Sequence, residues 1–146
     1  MRVACAFRPS GAGTTLLPMA SLYATAGVRP RIMEIGIFNT TATAVAIAVR
    51  RLTTAGTQGT GQAEFSLNDD AQSPVATVFD LHSSTGPTLT AGAIRQATLG
   101  AAAGSGVIWT FGDTGLIIPA GTGNGIAIVC ATGTSQICDV NFEWIE

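Results

Sequence analysis

The sequence predicts an all-β fold, an antiparallel β-sandwich of jelly-roll-like kind with about nine strands, and three observations carry that prediction. Short runs rich in Val, Ile, Thr, Phe and Trp recur at intervals of roughly 8–15 residues. Gly, Pro, Asn, Asp and Ser bound them in combinations that make turns. No stretch carries a convincing 3.6-residue apolar period.

In chain order, residues 3–7 form the first expected strand. Residues 8–30 contain Pro9, Gly11, Gly13, Pro18, Gly27 and Pro30, with scattered apolar side chains that need burial. A connection this long is rare in a compact domain unless it has a task. It is read as a loop lying across the sandwich or, preferably, as an extended arm packing on a neighbouring subunit. On the arm reading Arg8, Leu16, Leu17, Met19, Leu22 and Tyr23 are the candidate partner-binding residues. A short helix over 18–24 is the alternative. The expected organisation is therefore a single domain, with residues 1–30 as N-terminal strand and extended arm or loop and residues 31–146 as the sandwich.

Residues 31–38 and 43–52 alternate apolar and smaller or polar side chains around a turn at 39–41, which predicts a hairpin. Strands are expected at 62–67, 75–79 and 93–99, separated by loops at 53–61, 80–92 and 100–106. The clearest stretch is the last. Val107, Ile108, Trp109, Thr110 and Phe111 make one strand, a turn at 112–115 leads to Leu116, Ile117 and Ile118, and glycines at 121, 123 and 125 precede a strand over 126–130. The tail at 136–146 alternates Val140, Phe142 and Trp144 with Asp139, Asn141 and Glu143, with one break in phase between Ile137 and Val140.

For 146 residues one domain is the expectation, and roughly 70% of the unfolded surface can be buried at this size. Only 11% of residues are charged and none is lysine, so much of the surface is neutral. Lys, Glu and Asp are the types depleted at protein interfaces, so the composition suits a subunit partly covered by partners. The seven arginines are dispersed with no basic run, which does not indicate nucleic acid. The longest uncharged stretch, 114–138, is interrupted by Pro119 and by glycines, so strands with neutral turns are expected there and no membrane span. The N-terminal apolar run is cut by Arg8 and Pro9, and expression without export follows.

Candidate chemistry is sparse. His82 is the only histidine, too few for a triad or an imidazole metal cluster, and reads as a loop residue. Asp69, Asp70 and Asp80 offer oxygens that calcium would take, but adjacent carboxylates fit a solvated turn better. Glu34, Glu64 and Glu143 give no sign of facing one another across a cleft. The glycine-rich run at 56–61 lacks the lysine and following helix of a phosphate loop and reads as turn chemistry. Arg50 and Arg51 place one guanidinium on each face of their strand, suited to a carboxylate in the chain or on a partner. Trp109, Phe111, Phe142 and Trp144 read as core in preference to a carbohydrate platform. Cys5, Cys130 and Cys138 match neither a zinc site nor a disulfide framework and read as reduced; Cys130 and Cys138, on neighbouring strands, are the one pair able to face each other. No catalytic residue, metal or cofactor is expected.

The alternating pattern, the Gly/Thr/Ala-rich turns, the element Gly115-Leu116-Ile117-Ile118-Pro119-Ala120-Gly121-Thr122-Gly123 before an Ile/Val strand, and the terminal Asp139-Val140-Asn141-Phe142-Glu143-Trp144 strand resemble small virion proteins of tailed bacteriophages. In particular the chain looks like the capsid decoration, or cement, proteins with a jelly-roll or β-sandwich body, over roughly residues 31–146. The resemblance implies a non-catalytic homotrimer on local three-fold sites of the capsid surface, clamping major capsid subunits, assembled in the host cytoplasm. A tail, fibre or spike component that recognises a host receptor or glycan is the alternative class.

Overall fold

The computed structural model describes residues 1–68, 72–132 and 134–146. Among them are eleven strands and no helix: β1 Arg2–Phe7, β2 Ala20–Tyr23, β3 Arg31–Asn39, β4 Val45–Leu52, β5 Phe65–Ser66, β6 Thr77–Phe79, β7 Arg95–Leu99, β8 Gly106–Thr110, β9 Leu116–Ile117, β10 Gly125–Thr132 and β11 Cys138–Ile145. They make two antiparallel sheets packed face to face. The front sheet runs β5-β1-β11-β3-β8, with β9 also on β3, and the back sheet runs β6-β2-β10-β4-β7. The pairings nest: β1 with β11, β2 with β10, β3 with β8, β4 with β7. That is the wiring of a jelly roll, in which a long folded-back chain is rolled into two layers.

The core lies between the sheets. Period-two alternation turns Val3 and Cys5 of β1 and Val140, Phe142 and Trp144 of β11 toward Leu22, Val45, Ile47, Val49, Ile126 and Ile128 of the back sheet, and β3 adds Ile35, Ile37 and, past a bulge at Met33 that shifts its phase by one residue, Ile32. Cys138, Val140, Phe142 and Trp144 alternate without interruption. The phase break read near Ile137 arises because Ile137 precedes the strand.

Two sequence expectations change. Residues 31–52 are two strands but not a hairpin: β3 belongs to the front sheet and β4 to the back, so 40–44 is a corner between layers. Alternation alone cannot separate the two cases, since either arrangement buries one side of each strand. Residues 8–30 are not an arm on a neighbour. β2 is a central strand of the back sheet between β10 and β6, and all four of its residues are buried. The chain reaches β2 through a loop wedged against the fold, where the Met19 amide donates to the Ile128 carbonyl (2.9 Å) and the His82 amide to the Pro18 carbonyl (3.0 Å). A boundary at residue 30 would therefore cut β1 and β2 away from their sheets.

In the 114–138 region lie β9 and β10, and no helix among the described residues is long and apolar enough to cross a membrane. β8 and β9 follow one another along the same side of β3, with 112–115 bulging between them.

Candidate interaction surface

Each sheet has an outer face, and the two are built differently. On the back sheet, the outward residues Tyr23 of β2, Ala48 and Leu52 of β4, and Ala127 and Val129 of β10 form a second buried apolar cluster, joined by Ala55, Phe79 and Leu89 from surrounding chain. Loops at 8–18, 53–62 and 80–91 cover it. Residues 60–62 run beside β6, the Gln62 amide donating to Val78 and the Asp80 amide to Thr60 (both 2.9 Å), and Thr57 donates to Thr85 (2.8 Å). The glycines at 56–61 let these backbones touch. A Cβ on Gly59 would lie 2.3 Å from the Leu81 carbonyl oxygen, and Gly56 adopts a φ of 62° against Gly86 and Pro87.

Under that cover sits His82, expected as an ordinary loop residue; it does lie in a loop but is fully buried. Its Nε2 lies 3.0 Å from the Tyr23 hydroxyl and 3.1 Å from the Ala55 carbonyl oxygen, to which Tyr23 itself donates (2.8 Å). The Tyr23 proton is thus committed to Ala55, which assigns the imidazole proton to Nε2. Nδ1 has no partner among the described residues. Burial pushes the His82 pKa below its ordinary value, against the opposing pull of the Ala55 carbonyl, and burial pushes the Tyr23 phenol up to about 12. Asp80 is tied to backbone, accepting from Ser10 (2.9 Å) and Leu81 (2.6 Å). The group holds loops to the sheet. A shallow hollow of about 190 Å³ elsewhere on this face, bordered by Thr15, Arg50 and Gln96, falls below the usual 300–1,000 Å³ of small-molecule pockets.

Among the described residues, no element covers the outer face of the front sheet. The register there sets Ala6, Asn141, Gly36 and Ile108 in one row and Phe65, Ala4, Glu143, Glu34 and Thr110 in the next. Two ion pairs lie on it: Arg8 grips Asp139 (Nε–Oδ1 2.7 Å, Nη2–Oδ2 2.9 Å), and Arg2 meets Glu143. The Asp139 carboxyl is held below its ordinary range by the hydrogen bond from Arg8. The Phe38 ring covers Gly106, its partner in register, and reaches Gly36. Phe65, Leu67 and Val75 are exposed near the β5 edge, and Ile108 is 56% exposed at the β8 edge.

The residues expected to bind a partner are scattered by the fold. Met19, Leu22 and Tyr23 are buried in their own chain, Leu17 is half-buried, Leu16 is exposed at the tip of the 8–18 loop, and Arg8 is engaged with Asp139 on the open face. Arg50 and Arg51 meet backbone carbonyls instead of carboxylates. Arg50 caps Thr90 over the outer face, and Arg51 spans the layers to Ile117 (2.9 Å). Phe142 and Trp144 are core, with Trp109 and Phe111 packed against it. All three cysteines are free, buried thiols; burial raises Cys5 to about 12 and Cys138 to about 11. Asp69 and Asp70 lie outside the described residues. Among the described residues no group of three or more His, Cys, Asp or Glu could hold a metal.

Sequence reasoning missed the facing carboxylates of Glu34 and Glu143, and it missed Phe65 and Ile108 as exposed positions. Only the strand order reveals them. No protein-family model, curated protein or solved structure matches the chain.

Proposed function

We propose that this chain is a structural virion protein that decorates and stabilises a phage capsid by binding between major capsid subunits. The observation carrying the reading is the uncovered outer face of the front sheet, with Phe65, Leu67 and Val75 at one edge and Ile108 at the other, in a chain with 11% charged residues and no lysine. A protein that works by adding interface area needs a broad, weakly charged surface on a rigid body and no reactive groups. Jelly rolls serve in capsids, which is a likeness of architecture and supports the reading only as such. The three-fold seating remains what the resemblance in sequence style implies.

The N-terminal residues are now the wrong place to probe, because removing β1 and β2 would unfold both sheets. The decisive experiment is the copy number of the chain in gradient-purified particles, by quantitative mass spectrometry against the most abundant shell protein. A ratio near one, or a simple fraction of it, is expected for a lattice-bound subunit, and Phe65→Asp with Leu67→Asp should reduce occupancy while the protein stays folded. A few copies per particle would move the chain to a tail or spike and make receptor or glycan recognition the leading function, while absence from particles would end the virion reading.

A further inference from the structure

Among the described residues, the edge of β8 is free and the least protected of the sheet edges. Jelly rolls leave the outermost strand of each sheet with unpaired backbone groups, and proteins blunt such edges with short strands, charges, proline or covering chain. Here β5 and β9 have two residues each, β6 has three and is flanked by residues 60–62, and β7 opens with the exposed Arg95 and Gln96. β8 has five residues, Gly106, Val107, Ile108, Trp109 and Thr110, with no charge and no proline.

Its hydrogen-bonding direction follows from its neighbour. The Ser105 carbonyl accepts from Asn39 (2.7 Å) and the Phe111 amide donates to Met33 (3.0 Å), and between them the β3–β8 register runs without a shift. Antiparallel strands alternate the side to which their backbone groups turn, so residues 105, 107, 109 and 111 bond to β3. The N–H and C=O groups of Gly106, Ile108 and Thr110 therefore point away from the sheet.

We infer that β8 is a homotypic edge, and that two copies of this chain pair through it, antiparallel, about a two-fold axis at Ile108. This register sets Ile108 opposite Ile108 of the second copy and Gly106 opposite Thr110. The outward groups of both copies then meet as bonded pairs, giving about six backbone hydrogen bonds. The same register sets Val107 against Trp109 on the core side, an aromatic with β-branched pair of the kind that stabilises sheets, and isoleucine against isoleucine on the open side. No like charges are opposed, because the strand carries none. The chain just before β8 is Gly100, Ala101, Ala102, Ala103 and Gly104, too small to obstruct the Phe111 end of the other copy, where Arg95 lies over the Phe111 ring at 5.1 Å. The result is a C2 contact joining two six-stranded front sheets into one layer. It extends to the chain whether or not the chain decorates a capsid, and it is distinct from any three-fold seating.

The test is the native mass of the full chain by light scattering or sedimentation over a concentration series, beside two variants. The wild type should approach twice the chain mass as concentration rises. Ile108→Lys, at an exposed position, should remain folded and self-associate at least tenfold more weakly, since it opposes two charges at the axis. Ile108→Cys should form a covalent dimer on mild oxidation, because bonded antiparallel pairs hold their Cα atoms about 5.5 Å apart, within disulfide reach. The wild type should not crosslink, its three thiols being buried. A wild type that stays monomeric throughout, an oligomer whose mass Ile108→Lys leaves unchanged, or an Ile108→Cys protein that forms no crosslinked dimer would each overturn the proposal.

Discussion

On the outer face of the back sheet, Tyr23, Leu52, Ala127 and Val129 are sealed under three loops, whereas on the outer face of the front sheet Ala6, Asn141, Ile108 and Phe65 meet solvent. Both faces are formed by strands of similar length around one shared core, so the difference is not in the strands but in what the chain does after them. Connections of the back sheet are long and glycine-rich, and they fold over it to bury a histidine and a tyrosine. Those flanking the front sheet stay at its ends. One face has become interior, and the other remains a surface, populated by small and apolar side chains, two ion pairs and Glu34. The general lesson is that a sandwich can have two cores, and the second one marks which face the protein does not offer.

The comparison predicts unequal sensitivity to truncation. Leu52→Ala should cost about 2–5 kcal/mol, as for a leucine in any sealed core, because neither the sheet nor the loop around Leu89 can collapse into the gap freely. Phe65→Ser on the open face, at 64% exposure, should change stability by no more than about 0.5 kcal/mol. Urea titrations of the two variants measure this directly; equal losses would mean that the loops contribute no real cover. Next in size is Gly59→Ala. The added methyl group meets the Leu81 and Asp80 carbonyl oxygens and must push two backbones apart, at a cost of about 1–3 kcal/mol. A variant as stable as wild type would show that the loop layer is loose.

His82 sharpens the contrast through pH. Its folded pKa is below the unfolded value of 6.5, so the unfolded chain binds the proton more readily. The stability of the covered face is therefore fully present above that value and is lost as pH falls through it toward the lower folded pKa. Protonation would also place an N–H on Nδ1 where no acceptor stands among the described residues. The melting temperature should decline as pH falls below about 6.5, and His82→Gln should flatten that decline. The same slope in wild type and variant would remove His82 from the account.

How much of this was legible follows from what alternation encodes. Period two identified the strands at 31–39, 45–52 and 138–145 and the buried sides of the last two, because each residue's side is a local property; in β3 it set Ile32 apart from Ile35 and Ile37, and a bulge beside Met33, which strict alternation does not show, returns all three to the core. The sheet to which a strand belongs is not local, which is why 31–52 read as a hairpin and turned out to be a corner. β2 was hidden for another reason. With both faces buried, one by core and one by loops, Ala20, Ser21, Leu22 and Tyr23 show no alternation, and the flanking prolines and glycines resembled an arm. That His82 is an ordinary loop residue follows from its being the only histidine; its burial does not, because the cover above it comes from residues 53–62, distant in sequence. Edge positions such as Ile108 leave no trace in sequence, since an edge strand and a central one can carry the same residues.

The smallest effect predicted lies on the open face and has the opposite sign. Glu34 and Glu143 stand directly across from each other in register on β3 and β11, and like charges so placed destabilise a sheet by roughly 0.2–1 kcal/mol. Arg2 compensates one of them through its pair with Glu143, leaving Glu34 as the partner in the row with no ion pair among the described residues. Glu34→Gln should therefore raise stability within that range, and added salt should diminish the gain by screening the repulsion it relieves. The double variant with Arg2→Ala separates the contributions, because removing the arginine restores the full repulsion and should enlarge the benefit of Glu34→Gln. If instead Glu34→Gln destabilises the protein, the two carboxylates are not repelling one another, and the open face is held together by its charges to a degree that its exposure does not suggest.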